Sequence, residues 1–264
     1  MDTALGVMKV QALVFVWLVV LYVIASALEI CFSAHRCDAD YKNAPHNFGL
    51  FAVNTAAYIV ISPPIALLGV WLAQHVKPIV PKINVGGVVG IVLSTLVLAF
   101  AFDFFQYWVH RLQHRVPILW KFHRIHHTDR AINASTEFRR SFGEIMTMYA
   151  GAMIPLGILF GPDFVPLYAF LLFFKGWGYI NHLNLKLSFG PLNWLISSPQ
   201  YHRQHHGING KYLDCNYAAF FPVFDLAFGT CVYPAKDEYP AVGVKNARDN
   251  GVIKDALVPF LSSK

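Results

Sequence analysis

Charge is the scarcest commodity in this chain. Only 14% of its 264 residues are Asp, Glu, Lys or Arg, while 56% are hydrophobic. A soluble domain is nearer a quarter charged. Together with a mean hydropathy of +0.44, this shortage excludes an ordinary soluble enzyme and points to an integral membrane protein. It also excludes a nucleic-acid-binding module, none of which fits so apolar a chain. Cysteine is scarce too. Cys31, Cys37, Cys215 and Cys231 make no CxxC pair, so no disulfide framework is implied, and thiolate ligation is not needed where imidazole is plentiful. A CxxCH haem attachment is absent, and no GxGxxG opens a strand and helix for a flavin or nicotinamide. The chain is therefore expected to carry no reductase of its own. No long internal repeat and no low-complexity linker divides it.

What the chain does have is apolar length, aromatic rings and histidine. Twenty-two Phe, twelve Tyr and six Trp suit a lipid-embedded body with interfacial aromatic belts. The first apolar run, Val10–Leu28, exceeds the apolar core of about 7–15 residues in a signal peptide. Although Ala25-Ser26-Ala27 resembles a cleavage site, the expectation is a retained membrane helix. The second run, Phe48–Ala73, contains Ser62-Pro63-Pro64, which predicts a kink or an interruption. The third, Val85–Trp108, runs directly into His110, and Pro117 breaks that helix or starts the next. From Ile145 to Gly178 the chain is apolar again, interrupted by Pro155, Gly157, Gly161-Pro162 and Pro166. This stretch reads as two passes in a hairpin, or as one pass with a re-entrant piece. We favour the hairpin, because it returns the chain to the side it left. We take residues 1–264 as one membrane domain. Within it, residues 1–101 hold the N-terminal spans, 102–233 a histidine-rich catalytic region, and 234–264 a soluble C-terminal tail.

The net charge is +6, and its placement matters more than its sum. Arg111, Arg115, Lys121, Arg124, Arg130, Arg139 and Arg140 crowd one segment, accompanied only by Asp129 and Glu137. By the positive-inside rule this segment is expected on the cytoplasmic side. Attraction to anionic headgroups is a secondary role.

Histidine carries the chemistry. Eight of twelve fall into three clusters: His110 and His114; His123, His126 and His127; His202, His205 and His206. Positions i, i+3 and i+4 share one helix face, so each cluster can aim two or three imidazoles at a single point. His182, in Tyr179-Ile180-Asn181-His182, is a ninth candidate. A chance HxxHH at a given start is on the order of one in ten thousand, so two matches argue for a metal site over a structural or pH-sensing cluster. One ion takes about four to six ligands, and eight or nine suit two. His35, His46 and His75 lack the spacing and read as loop or interface residues. No acid lies inside either HxxHH, which argues against an HExxH zinc hydrolase and against the Glu-x-x-His bundle of soluble di-iron proteins. A transporter would place its ligands near the bilayer midplane, whereas these clusters lie outside the spans among arginines that repel entering cations. A metal-stabilised scaffold without activity is the third class. A two-metal centre beside lipid points to oxygen chemistry on an apolar substrate, with the metal carrying the hard step.

The ordered set HxxxH, HxxHH, HxxHH resembles the fatty acid hydroxylase and sterol desaturase superfamily of membrane di-iron oxygenases. The surroundings are similar as well. Asp103-Phe-Phe-Gln-Tyr-Trp-Val-His110-Arg111 leads into the first box. Pro117-Ile-Leu-Trp120-Lys-Phe-His123 leads into the second. Asn181-His182-Leu-Asn184 resembles the family's intermediate histidine site. Pro199-Gln-Tyr-His202 and His205-His206-Gly207 form the third box, followed by Asp214-Cys-Asn216-Tyr217 and Asp225-Leu-Ala-Phe-Gly229-Thr230. The likeness covers roughly half the chain, from about Phe102 to Tyr233. It implies an all-α membrane protein of about four transmembrane helices under a cytosolic histidine-rich helical cap. It implies two iron ions held by the nine histidines, O2 as co-substrate, a lipid substrate, and an external electron-donor protein of the cytochrome b5 or ferredoxin kind. Iron over zinc rests on the resemblance, since imidazole alone does not decide. One departure is visible. The family often has His and Pro within the stretch Phe138 to Glu144, where this chain has Ser141 and Phe142 and keeps Glu144; that stretch bears on the shape of the substrate cavity. Sterol, fatty acyl, alkylglycerol and carotenoid substrates stay open, as do hydroxylation and desaturation. A bacterial inner membrane and an endoplasmic reticulum membrane fit equally.

Ligating histidines usually donate their second N–H to a carboxylate or carbonyl. Asp103, two helical turns before His110, is a candidate for that role, as are Glu144, Asp214, Asn216 and Asp225; for each, a cap or surface role is the plain alternative. Tyr107, Trp108 and Phe122 either line the substrate path or belong to the aromatic belt.

Overall fold

The computed structural model describes residues 2–34, 41–80, 86–161, 174, 176–247 and 250–257. Every regular element among them is helical, and no β-strand occurs among the described residues, only the isolated bridges Ser33–Leu185 and Gly207–Val242. Three long helices come first: α1 (Asp2–Phe32), α2 (Ala44–His75) and α3 (Gly87–Arg115). Helix α4 (Pro117–His127) follows at once. Then α5 (Phe142–Met148) continues through one π-helical turn, Tyr149–Met153, into α6 (Ile154–Phe160). Short helices α7 (Pro199–His205), α8 (Val223–Ala227) and α9 (Val252–Leu257) complete the chain.

Among the described residues, two helical runs are long and apolar enough to cross a membrane: α3, with 29 residues, and the 19-residue run Phe142–Phe160. At about 1.5 Å per residue the shorter spans roughly 28 Å, close to the thickness of a bilayer's hydrocarbon core. A shorter apolar stretch, Val16–Phe32, lies in α1. Helix α2 runs through Ser62-Pro63-Pro64 without the interruption that a Pro pair permits. The return arm expected up to Gly178 falls mostly on residues 162–173, outside the described residues, and so do His35 and Cys37.

Helix α3 shows how one helix serves two environments. In its first half Val88, Val89, Val92 and Phe100 are exposed, as lipid-facing side chains are in an apolar solvent. The series Gly90, Ser94, Leu98 and then Ala99, Asp103, Tyr107 is buried; steps of four keep these residues on one face. The same face then delivers His110. Leu98 packs with Leu156 and Phe160 of α6. Two glycines allow the α5–α6 run to lie close: a Cβ on Gly151 would sit 2.3 Å from Val109 Cγ2, and one on Gly143 would sit 1.9 Å from the Phe122 ring. Helix α1 is tied down at its end by Glu29, fully buried, which accepts from the backbone N–H groups of Ala134 and Asn184 and from the Tyr41 hydroxyl.

The described residues just after Tyr233 lie against the body through their backbone. Arg203 Nε donates to the Pro240 carbonyl, Gln200 Nε2 to the carbonyls of Ala235 and Glu238, and Gly243 N to the His206 carbonyl. The segment is a strap over α7. Beyond it, α9 places Ala256 against Leu50 and Ile125, and Asp255 3.2 Å from His46.

Candidate metal centre

Four pieces of backbone bring the nine histidines together. Helix α3 carries His110 and His114 in its last turns. Val116 leaves the helical conformation, and Pro117 opens α4 at its first position, where its missing N–H costs nothing. Pro117 thus both ends one helix and begins the next. Helix α4 turns His123, His126 and His127 inward. Ser198 caps α7 by accepting from Tyr201 N, again with Pro in the first turn, and α7 brings His202 and His205, with His206 at its C-cap. His182 sits on the turn that closes the helical segment 176–181.

The rings sort into two groups. His110, His114, His123, His127 and His205 form one, and His126, His182, His202 and His206 the other; within each group the candidate nitrogens lie within 4.8 Å of one another. All nine positions singled out by spacing and resemblance are brought together. His46 and His75 lie apart, the first on Asp255 and the second on the Trp71 carbonyl.

The outer edge of the rings decides what the inner edge can do. His126 Nδ1 lies 3.1 Å from the Arg139 carbonyl, and His182 Nδ1 lies 2.7 Å from the Gly178 carbonyl. A carbonyl only accepts, so each Nδ1 must carry the proton, and in a neutral ring each Nε2 is then a bare lone pair. Those two Nε2 atoms face each other at 3.1 Å. Charging a ring would relieve the repulsion, but burial and neighbouring imidazoles hold His123, His126, His127, His202, His205 and His206 well below the usual histidine range. Burial lowers His182 too, offset in part by Glu137 and the Gly178 carbonyl. His110 repeats the pattern, with Nδ1 on the Tyr217 carbonyl at 2.7 Å and Nε2 2.9 Å from His123 Nε2. His205 Nδ1 is on the Cys215 carbonyl at 2.7 Å, while the Nε2 atoms of His205 and His114 are buried with no hydrogen-bond partner. Lone pairs converging in pairs, and buried nitrogens without donors, fit a cation between them.

The acids expected behind these rings divide by location. Glu144 Oε1 lies 3.3 Å from His123 Nδ1, and Asp214 Oδ1 3.5 Å from His114 Nδ1. Contact with His114 and Arg115 lowers the Asp214 carboxyl below its ordinary range, against its partial burial. Asp103 differs from expectation. It shares the face of His110, but its carboxylate accepts from the backbone N–H groups of Ala219, Phe220 and Phe221 at 2.6–3.1 Å. It therefore pins the loop whose Tyr217 carbonyl holds His110. Asp225 also touches no histidine in these contacts: it accepts from Tyr217 N, Ala218 N, Tyr201 and Thr230. Burial raises its carboxyl above the usual range, opposed by those donors. Asn216 bonds the backbone of Tyr201 and Val232. Asp214 and Asn216 both have left-handed backbone, φ 58° and 52°, which short polar side chains tolerate. The two reversals aim the carbonyls of Cys215 and Tyr217 at His205 and His110.

Spacing gave no hint of the carbonyls of Arg139, Gly178, Cys215 and Tyr217, since backbone acceptors carry no residue signature. Glu137 was also missed; its carboxylate lies 3.5 Å from His182 Nδ1. Tyr107 packs into the interior. It is fully buried, its hydroxyl 2.9 Å from Thr230 Oγ1 and bonded by Arg111. Ser141 caps α5 by accepting from Glu144 N and donates to the Phe122 carbonyl at 2.9 Å. A cavity of about 350 Å³ opens onto His114, His127 and His205 between Trp120 and the turn at Gly207–Gly210.

With this geometry in place, comparison with known proteins is decisive on family. The fatty acid hydroxylase family model matches residues 95–230, just over half of the chain. The chain belongs to the fatty acid hydroxylase family. Among its relatives, alkylglycerol monooxygenase of Xenopus tropicalis is 35% identical over 139 residues, 52% of this chain and 30% of the relative. The Homo sapiens enzyme of the same name is 34% identical over 143 residues, 54% and 31% of the two chains. The ornithine lipid hydroxylase OlsE of Rhizobium tropici is 28% identical over 167 residues, 60% and 47%. The match thus covers less than half the length of each of these relatives. No solved structure matches the chain.

Proposed function

We propose that this chain is an O2-dependent lipid hydroxylase whose nine histidines hold two iron ions. His110, His114, His123, His127 and His205 would bind one, and His126, His182, His202 and His206 the other. The observation that carries this is the pair His126 and His182, both protonated on Nδ1 by necessity and facing Nε2 to Nε2 at 3.1 Å. Iron, when bound, supplies the activation of O2 and the attack on an unactivated C–H bond that no side chain can perform. The protein's own part is to orient the rings through their Nδ1 partners. Asp214 and Glu144 do so by carboxylate, and the carbonyls of Arg139, Gly178, Cys215 and Tyr217 by fixed dipoles.

The substrate we infer is a membrane lipid, in keeping with the alkylglycerol and ornithine lipid in the names of two relatives. An apolar cavity of about 480 Å³ lies between α1 and the segment 176–183, lined by Trp17, Leu21, Ile24, Tyr179, Ile180 and Leu183. Leu183 adjoins His182 in the chain, and we place the hydrocarbon chain of the lipid here. Hydroxylation consumes O2 and two electrons with two protons, yielding one hydroxyl and one water. The electrons would come from a separate donor protein, cytochrome b5-like or ferredoxin-like. The reading includes about four spans with the basic histidine cap, Arg111 to Arg140, on the cytoplasmic side.

The test is mass spectrometry of total lipids from cells with and without the chain, grown under ordinary and isotopically heavy O2. A lipid class heavier by one oxygen atom, labelled only under heavy O2, is the expected result. Loss of two hydrogens without oxygen would replace hydroxylation by desaturation. Unchanged lipids in cells that contain the iron-loaded protein would contradict the reading.

A further inference from the structure

Glu144 and Glu137 each back a histidine, and the two histidines belong to different groups. Glu144 Oε1 is 3.3 Å from His123 Nδ1 and Glu137 Oε2 is 3.5 Å from His182 Nδ1, both charge contacts, while the His182 proton itself goes to the Gly178 carbonyl at 2.7 Å. Between the two acids stands Arg140. Its Nη2 is 2.9 Å from both oxygens of Glu137, and its Nη1 is 3.5 Å from Glu144 Oε1. Its Nε donates to the Glu137 carbonyl at 3.1 Å. Both carboxylates are buried, at 8% and 1% exposure, so each must keep a partner.

A second feature shows that the site is built for this approach. A Cβ on Gly178 would lie 2.6 Å from Glu137 Oε2 and 2.7 Å from its carboxyl carbon. Only a residue without a side chain lets Glu137 lie against the turn that leads to His182. The rigid fork of a guanidinium can serve two carboxylates at once, whereas an ammonium is a single point of charge. An ion cluster needed only for folding has no reason to end, at both extremities, on imidazoles of the two groups.

We propose that Arg140 is a positioning residue that couples the two histidine groups. It holds Glu137 behind His182 and Glu144 behind His123, so one side chain governs ring orientation on both sides of the centre. This rests on the metal-binding reading above.

The test uses the full-length chain, purified in detergent and loaded with Mössbauer-active iron. Release of iron to a ferrous chelator is timed, the Mössbauer spectrum is recorded, and the thermal midpoint of the iron-free protein is measured. Arg140→Gln is expected to speed release of both irons by roughly 10–100-fold and to alter both spectral components; leaving two buried carboxylates without their partner also lowers the iron-free midpoint, so release is timed well below it, where the iron-free variant is folded. Glu137→Gln should affect one component and Glu144→Gln the other. Arg140→Lys should recover only part of the retention. If Arg140→Gln does not fold, Arg140→Lys must still loosen both irons and Glu137→Gln only one. Wild-type retention in Arg140→Gln, an effect on a single iron, or iron loss that merely follows a lowered iron-free midpoint would overturn the coupling alone. A wild-type chain that holds no iron would overturn the metal reading, and the coupling with it.

Discussion

Replacing His126 by alanine is expected to abolish turnover and to lower the metal content in the same sample. His126 belongs to the smaller group of four imidazoles, which has none to spare. Its ring is fixed from behind by the Arg139 carbonyl, and its Nε2 meets that of His182. Removing it opens the coordination sphere and strands the His182 lone pair. The activity loss should exceed the roughly 10–100-fold typical of losing an outer hydrogen-bond partner. His46→Ala and His75→Ala supply the contrast, because those rings bond Asp255 and Trp71 outside both groups; metal content should be unchanged in both. Elemental analysis beside a lipid hydroxylation assay reads all three variants. A His126→Ala protein that kept its full metal content and most of its activity would remove His126 from the centre.

Asp103→Ala is expected to act on stability before it acts on chemistry. The carboxylate satisfies three backbone N–H groups, of Ala219, Phe220 and Phe221, and is itself fully buried. Truncation leaves those donors without their acceptor, at about 1–3 kcal/mol for each unsatisfied group before relaxation. A total of about 3–5 kcal/mol is expected, within the range of severe single substitutions. Asp103→Asn keeps an acceptor and should cost less, about 1–3 kcal/mol. Metal retention should weaken as a consequence, through the Tyr217 carbonyl that holds His110. Denaturant unfolding of the detergent-solubilised chain measures this. A variant of unchanged stability that nevertheless lost its metal would assign Asp103 a direct role at a histidine.

The contrast between His126 and Asp103 shows what the chain makes legible. Imidazole spacing on a helix face is written in residue identity, so the histidines could be gathered before any coordinates. Asp103 was placed on the correct face by its distance from His110, yet its partner could not be read, because the loop 217–221 reaches it from more than a hundred residues away. The carbonyls that orient His110, His126, His182 and His205 are backbone, and any residue could supply them. Pro117 declared both a helix end and a helix start. Pro63-Pro64 suggested a kink or an interruption, and α2 runs through them without an interruption; a proline removes one N–H but leaves the rest of the helix its hydrogen bonds. The stretch after Tyr233 reads as a soluble tail, and its backbone carbonyls of Ala235 and Pro240 accept from buried Gln200 and Arg203. Its side chains Lys236, Asp237 and Lys245 are exposed; it is the backbone that answers the buried donors, and residue polarity does not announce that.

The central claim is a two-metal centre, and the direct measurement is the metal content of the freshly purified, full-length chain by elemental analysis, with Mössbauer spectroscopy to identify the ion. The two histidine groups predict close to two irons per chain in two distinguishable environments. A firm value of one or none in folded protein would contradict the account.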